Sequence, residues 1–379
     1  MQQLMIMTPG PTTIHERVRM AGAKPITNPD LDSAFYEDYD RVCNGLKTLF
    51  GTDNDVIILG GEGILGLEAS CASLIEKGDK ILCLDNGIFG HGFGEFAEMY
   101  GAEVTYYTVD DREAIDPKAL SDFLENAHDF KLATLVHCET PSGITNSVEA
   151  LCPLLKRYGI LTVVDSVSAL AGEIVKASEW QMDVVIGGSQ KCLSAPPGLT
   201  PMSISNEAWQ MMSDRKTPIA GFYTNLMTYK DWKKNQWFPY TQPITLIYAL
   251  DEAVSRANKD SNLYERHASI AEATRKSCLA SGLELYAKSG YSTTVTAICM
   301  PDGISYDELW REMVETQGIM IGGGLGDLKD KVFRIGHMGE NCQIDSVYMT
   351  LRALDLTFRK HGIFTEQTPK LHLTFSTLI

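Results

Sequence analysis

A lysine and an aspartate stand one strand–helix–strand unit apart, at positions where an open α/β sheet presents its chemistry. The apolar run Leu161–Val164 ends in Asp165. The run Val184–Ile186 leads through Gly187, Gly188, Ser189 and Gln190 to Lys191, 26 residues after Asp165. Ligands of such sheets bind beyond the carboxyl ends of the strands. A lysine there can form a Schiff base with an aldehyde. An aspartate there can hold a proton on a pyridine nitrogen and keep the ring an electron sink. A carboxylate ending a buried strand is costly unless it has such work or a partner; its plain alternative is a helix cap. A third signal is Gly60-Gly61-Glu62-Gly63, between Val56–Leu59 and a helical pattern. Glycines at that junction let backbone N–H groups approach an anion. No Gly-Lys-Ser/Thr follows, so this is not a P-loop.

These residues need a sheet to hold them. Val56–Leu59, Lys80–Leu84, Val104–Thr108, Leu132–His137, Leu161–Val164, Val184–Ile186 and Leu199–Ile204 read as strands. Helical patterns such as Ile64–Ile75, Phe93–Tyr100 and Val148–Tyr158 lie between them. Alternation of this kind predicts an α/β fold with a mostly parallel sheet sandwiched by helices. The aromatic, Lys- and Pro-rich stretch Asn225–Pro243 reads as an irregular connection, followed by a long helical pattern from about Leu246 to Ser281. A smaller α+β region closes the chain, with strands at Thr293–Met300 and Val332–Ile335 and helices at Tyr306–Thr316 and Ile344–Lys360. The expected division is a large domain over 15–250, a small one over 251–379, and an N-terminal segment, 1–14, that contributes to the site. A chain of 379 residues suits two domains.

Composition removes several classes. Thirty-three basic against forty-nine acidic residues leave a net charge of −16, which argues against nucleic acid and anionic membrane surfaces. No apolar run reaches the length of a membrane span, and Pro9 comes too early for a secretory signal. Nine cysteines without a C-x-x-C pair fit neither a disulfide framework nor a zinc site, so no metal is expected and the cytoplasm is the default compartment.

With those residues in hand, the sequence resembles a class V aminotransferase of the fold type I pyridoxal-phosphate superfamily, near the alanine–glyoxylate and serine–pyruvate enzymes. The matching pieces are Thr8-Pro9-Gly10-Pro11-Thr12, Gly87-Ile88-Phe89-Gly90, His137 to Gly143, Val164 to Ser168, Gly188-Ser189-Gln190-Lys191 and Phe333 to Gly339. They occur in family order across residues 8–339. The resemblance implies that Lys191 carries the cofactor and moves the proton, and that Asp165 pairs with the pyridinium nitrogen. It implies that Phe89 stacks on the ring and that Thr140 bonds near the ring oxygen. Gln190 and the Gly61, Glu62, Gly63 turn lie where relatives hold the phosphate. Thr241 would reach that place from a neighbouring subunit, which implies a homodimer with shared sites, or a dimer of dimers. Gly10 would border the substrate, and Arg334 would grip its carboxylate, a bidentate task that suits a guanidinium. Small amino and oxo acids are the implied partners.

Two departures concern the phosphate. Glu62 stands where ordinary relatives have an uncharged residue, and a phosphate ester carries close to two negative charges at neutral pH. Phe238 stands where the family commonly supplies a tyrosine hydroxyl from the partner subunit. One branch shows this combination: pyridoxamine–pyruvate transaminase, which takes unphosphorylated pyridoxal as a substrate. That resemblance implies pyridoxamine plus pyruvate giving pyridoxal plus L-alanine. Against it, that branch has a second arginine nine residues before the match to Arg334, and here the position is Leu325. Glu62 also has a plain alternative as a helix-end charge. An ordinary enzyme with bound pyridoxal 5'-phosphate, and a non-catalytic vitamin-binding protein, stay open. His91 and His337 receive no role. Cys342 is the one candidate for a desulfurase thiol, a reading that the Ser189-Gln190-Lys191 signature disfavours.

Overall fold

The computed structural model describes residues 4–379. In chain order the strands are β1 (Met5–Met7), β2 (Asp55–Gly60), β3 (Lys80–Asp85), β4 (Glu103–Thr108) and β5 (Leu132–Val136). The two-residue strands β6 (Cys138–Glu139) and β7 (Ile144–Thr145) follow, then β8 (Leu161–Asp165), β9 (Val184–Ile186) and β10 (Leu199–Ile204). The last three are β11 (Val295–Cys299), β12 (Ile319–Gly323) and β13 (Val332–Gly336).

Seven strands form the main sheet in the order β2-β10-β9-β8-β5-β3-β4. Strands β9, β8, β5, β3 and β4 pair in parallel, and β10 runs antiparallel to both β9 and β2. The exception has a physical cause. A parallel return needs a crossover, usually a helix, whereas residues 187–198 form the lysine turn, so the chain comes straight back. Central strands β5, β8 and β9 are buried throughout, as a sheet covered on both faces requires. Edge strand β4 alternates between exposed and half-buried residues. Because β2, β3, β5, β8 and β9 all point the same way, the residues after Gly60, Asp85, Val136, Asp165 and Ile186 emerge along one edge.

A four-stranded sheet, β1-β12-β13-β11, backs a second core that includes Phe333, Phe358 and Phe375. Two of its strands, β1 and β12, are not among those expected. Met5–Met7 pairs in parallel with Ile319–Ile321, and β12 pairs with β13 through Gly322–Arg334. The expected long helix from Leu246 to Ser281 is two helices, Ile244–Lys259 and Leu263–Ala280. Asp260-Ser261-Asn262 breaks it. The Asp260 carboxylate accepts from the Asn262 amide at 3.1 Å and pairs with Arg266 at 2.7 Å, a turn chemistry that competes with helix. The segment expected as one helix over Tyr306–Thr316 becomes a π-helical turn from Glu312. No described helix is long and apolar enough to cross a membrane.

Candidate active site

Lys191 sits on the turn after β9, and the N-terminal segment closes over it. Thr12 donates its hydroxyl to the Lys191 carbonyl at 3.0 Å and its amide to the Gln190 carbonyl at 3.1 Å. The Lys191 amine donates to the Pro9 carbonyl at 2.8 Å. Gly10 makes this approach possible: its φ is +83°, and a Cβ there would lie 2.4 Å from Lys191 Cδ. Burial lowers the Lys191 pKa, the Arg334 charge lowers it further, and Asp165 opposes both. A neutral amine at moderate pH is what a nucleophilic lysine needs.

Asp165 ends β8. Its Oδ1 accepts from the Val167 amide at 2.9 Å, while Oδ2 has no partner among the described residues. Burial pushes its carboxyl up to about 6, against the pull of the Val167 amide and Lys191. Gly63 packs closely against this turn, and a Cβ there would stand 2.7 Å from Val167 Cγ2.

Arg334 is buried on β13, flanked by Gly322 on β12 and Ala297 on β11. Its Nε donates to the Gly323 carbonyl at 2.7 Å, and it has no ion pair among the described residues. Its pKa falls to about 10 through burial, so it stays charged at neutral pH. A buried unpaired guanidinium is costly unless an anion arrives. Thr140 is also buried, its hydroxyl without a partner among the described residues, and Phe89 is half-buried at the start of the helix Ile88–Met99.

Glu62 is the unexpected piece. It caps the helix Gly63–Leu74, its Oε1 accepting from the Ile64 amide at 3.2 Å. Its Oε2 accepts from Gln190 Nε2 at 3.1 Å, so the carboxylate turns toward the lysine loop. Glu62 is both a helix cap and a partner of Gln190, and it is itself exposed. Gln190 is buried, and with Nε2 committed to Glu62 its Oε1 is left without a hydrogen-bond partner.

The two residues assigned to a neighbouring subunit's site differ in exposure. Thr241 is exposed on this subunit. Phe238 does not face outward toward another subunit's phosphate; it is buried in its own subunit, stacked on Tyr36 at 4.9 Å and Trp232 at 5.6 Å and tilted against Tyr39 at 4.8 Å. Its hydrophobicity decides its place, since an aromatic ring gains more from burial than from a surface position. Tyr240 supplies the nearby hydroxyl instead, accepting from the Gly60 amide at 3.2 Å. Phe238→Ala is therefore expected to cost about 3–5 kcal/mol of stability and to leave cofactor binding unchanged, as read by thermal melts and by titration below the lowered Tm. Cys342 is buried, and its thiol is pushed up to about 12, which deprives a desulfurase reading of its thiolate.

Residues 19–326 match the family Aminotransferase class-V. The chain belongs to the class-V aminotransferases. A pyridoxamine–pyruvate transaminase of Mesorhizobium japonicum is 33% identical over 356 residues, covering 93% of this chain and 90% of the relative. The crystal structure of a pyridoxamine–pyruvate aminotransferase from Mesorhizobium loti matches with a TM-score of 0.95 at 30% identity, covering 100% of this chain and 97% of that one. A ureidoglycine–glyoxylate aminotransferase from Bacillus subtilis also matches at 0.95, with 29% identity and coverage of 100% and 98%. Equal backbone agreement with two chemistries leaves the distinction to side chains.

Class-V aminotransferases are pyridoxal-phosphate enzymes that act on small amino and oxo acids. The residues present fit the ring of that cofactor. Asp165 Oδ2, the Thr140 hydroxyl and the Lys191 amine are the groups that would hold it, and when bound it supplies an electron sink for the bond to be broken. The phosphate end fits less well. The helix amide and the Gln190 amide that could serve a phosphate already serve a carboxylate.

Proposed function

We propose that this aminotransferase moves the amino group of pyridoxamine to pyruvate, giving pyridoxal and L-alanine. The observation that carries the reading is the Glu62 carboxylate, which takes both the Ile64 amide and Gln190 Nε2. A phosphate brought there would meet a like charge and lose two donors. The unpartnered Gln190 Oε1 supports the same conclusion. It and Glu62 are acceptors, which suit the proton-bearing hydroxymethyl group of the free vitamin and not a dianion.

In this reading Lys191 is the amine that moves the proton, Asp165 keeps the ring nitrogen protonated, and Arg334 binds the pyruvate carboxylate through its free guanidinium face. Phe89 covers the ring, and Gly10 borders the substrate while keeping room beside Lys191. We further propose a homodimer in which Thr241 completes the neighbour's site; exposed Phe222, Tyr223 and Trp237 lie in the same stretch of chain.

A second reading is an ordinary alanine–glyoxylate or serine–glyoxylate enzyme with resident pyridoxal phosphate. Leu325 favours it, being 41% exposed where the pyridoxamine-specific branch has an arginine. Native mass spectrometry with pyridoxal and pyridoxal-phosphate titrations separates the two. The protein is expected to purify empty and to prefer pyridoxal. Glu62→Ser is expected to shift the preference toward the phosphate by about tenfold to a hundredfold. Tight retention of pyridoxal phosphate by the unmodified protein, or no shift on Glu62→Ser, sinks the proposal.

A further inference from the structure

Glu139 is a fully buried carboxylate that the reaction as described leaves unused. It lies on β6, between the end of β5 and Thr140. Its Oε1 accepts from the Phe89 amide at 3.2 Å and its Oε2 from the Gly90 amide at 2.9 Å. Those amides open the helix Ile88–Met99, whose own N-cap, Gly87, offers no side chain. The cap comes instead from a strand about fifty residues away in sequence. Gly87 is needed for the fit, because a Cβ there would lie 2.5 Å from Glu139 Cγ.

The backbone of Glu139 is held as firmly. Its carbonyl accepts from the Gly143 amide at 3.0 Å and the Ser142 hydroxyl at 3.3 Å. One tight turn therefore fixes Thr140 and, through the carboxylate, Phe89. Burial pushes the Glu139 carboxyl up to about 7 against the pull of the Gly90 and Phe89 amides, while Asp165 of β8 and Asp85 of β3 repel it and Arg334 of β13 attracts it.

We infer that Glu139 is a positioning residue for amino transfer: its carboxylate clamps the Phe89 and Gly90 amides, so that the ring-covering Phe89 and the ring-bonding Thr140 are set by a single turn. The inference rests on the roles proposed above for Phe89 and Thr140. Glutamine keeps one acceptor for the two amides, and alanine keeps none. Glu139→Ala is expected to lower kcat about a hundredfold and Glu139→Gln about tenfold, since small misplacements at a reacting centre cost that much. The KM for pyruvate is expected not to rise, because the Glu139 clamp bonds the Phe89 and Gly90 amides and makes no bond to Arg334, which the Gly323 carbonyl holds. General loosening of the fold would raise it. Hydrogen exchange in the peptide covering residues 86–92 is expected to accelerate in the cofactor-free alanine variant.

A kcat within twofold of the unmodified enzyme, a pyruvate KM that rises in parallel with the loss of kcat, or unchanged exchange would each overturn the inference. If the unmodified protein transfers nothing from pyridoxamine but does so from alanine to glyoxylate with pyridoxal phosphate, the same variants are read in that assay. Failure of the substrate proposal is thus seen in the unmodified protein, and failure of the clamp in the variants and in the exchange.

Discussion

Lys191→Ala is expected to lower kcat/KM for amino transfer by at least about ten-thousandfold, the scale seen when a sole nucleophile is removed. The size of the effect follows from the surroundings. Lys191 is the only side-chain amine that the structure brings to Asp165 and Arg334 among the described residues, and both act on its charge. Burial and the guanidinium push its pKa down, so the neutral amine is available below the usual range for lysine. Lys191→Arg separates charge from nucleophilicity. It keeps the positive charge beside Asp165 and the Pro9 carbonyl but cannot lose a proton in a protein. It is expected to be as inactive as alanine, and a small external amine is expected to restore part of the activity only in the alanine variant. Steady-state rates of amino transfer check this, and a Lys191→Arg variant with a tenth of the normal rate would falsify the assignment.

Asp165→Asn is expected to lower the rate about a thousandfold, within the range for loss of an acid–base partner, while making the cofactor-free protein relatively more stable at neutral pH. The two effects share one cause. In the free protein burial holds the Asp165 carboxyl up to about 6, whereas an unfolded aspartate titrates near about 3.9. The folded state therefore binds this proton more tightly. The contribution to stability is fully present below about pH 4, is lost as the pH rises through about 6, and stays lost above that. Asparagine does not titrate. The stability of the aspartate protein relative to the variant should then fall by about 2–3 kcal/mol between pH 4 and pH 7. Urea unfolding of both proteins at several pH values measures the difference directly. A constant difference across that window would mean that the carboxyl is not desolvated as the structure indicates. The site gives up stability for a buried charge, the one that the proposed reaction sets against a ring nitrogen.

Much of the site could be read without coordinates, and the reason is local. Asp165 and Lys191 each follow a run of consecutive apolar residues, and such runs announce strands buried on both faces. Parallel strands end on one edge, so the run and its last residue together place the chemistry. Gly61 and Gly63 announce a strand-to-helix turn in the same way. Glu139 carries a weaker form of the same mark, a carboxylate three residues beyond the strand Leu132–Val136. Arg334 needed the motif around it, since an arginine in a short strand carries no periodic mark of its own.

What remained hidden was set by contacts between residues distant in the chain. The direction of Glu62 depends on Gln190, 128 positions away, and the seat of the Lys191 amine depends on Pro9, 182 positions away. The burial of Phe238 depends on Tyr36 and Tyr39 from a helix near the N-terminus. The strand Met5–Met7 exists because Ile319–Ile321 lies beside it. Periodicity and composition report which face of an element is apolar, and so they determine the fold class and the edge of the sheet that bears the chemistry. They do not report which distant group satisfies a buried donor or charge. Tertiary packing alone decided that the Glu62 carboxylate takes the Gln190 side-chain amide, and that another carboxylate, Glu139, holds the start of the helix Ile88–Met99.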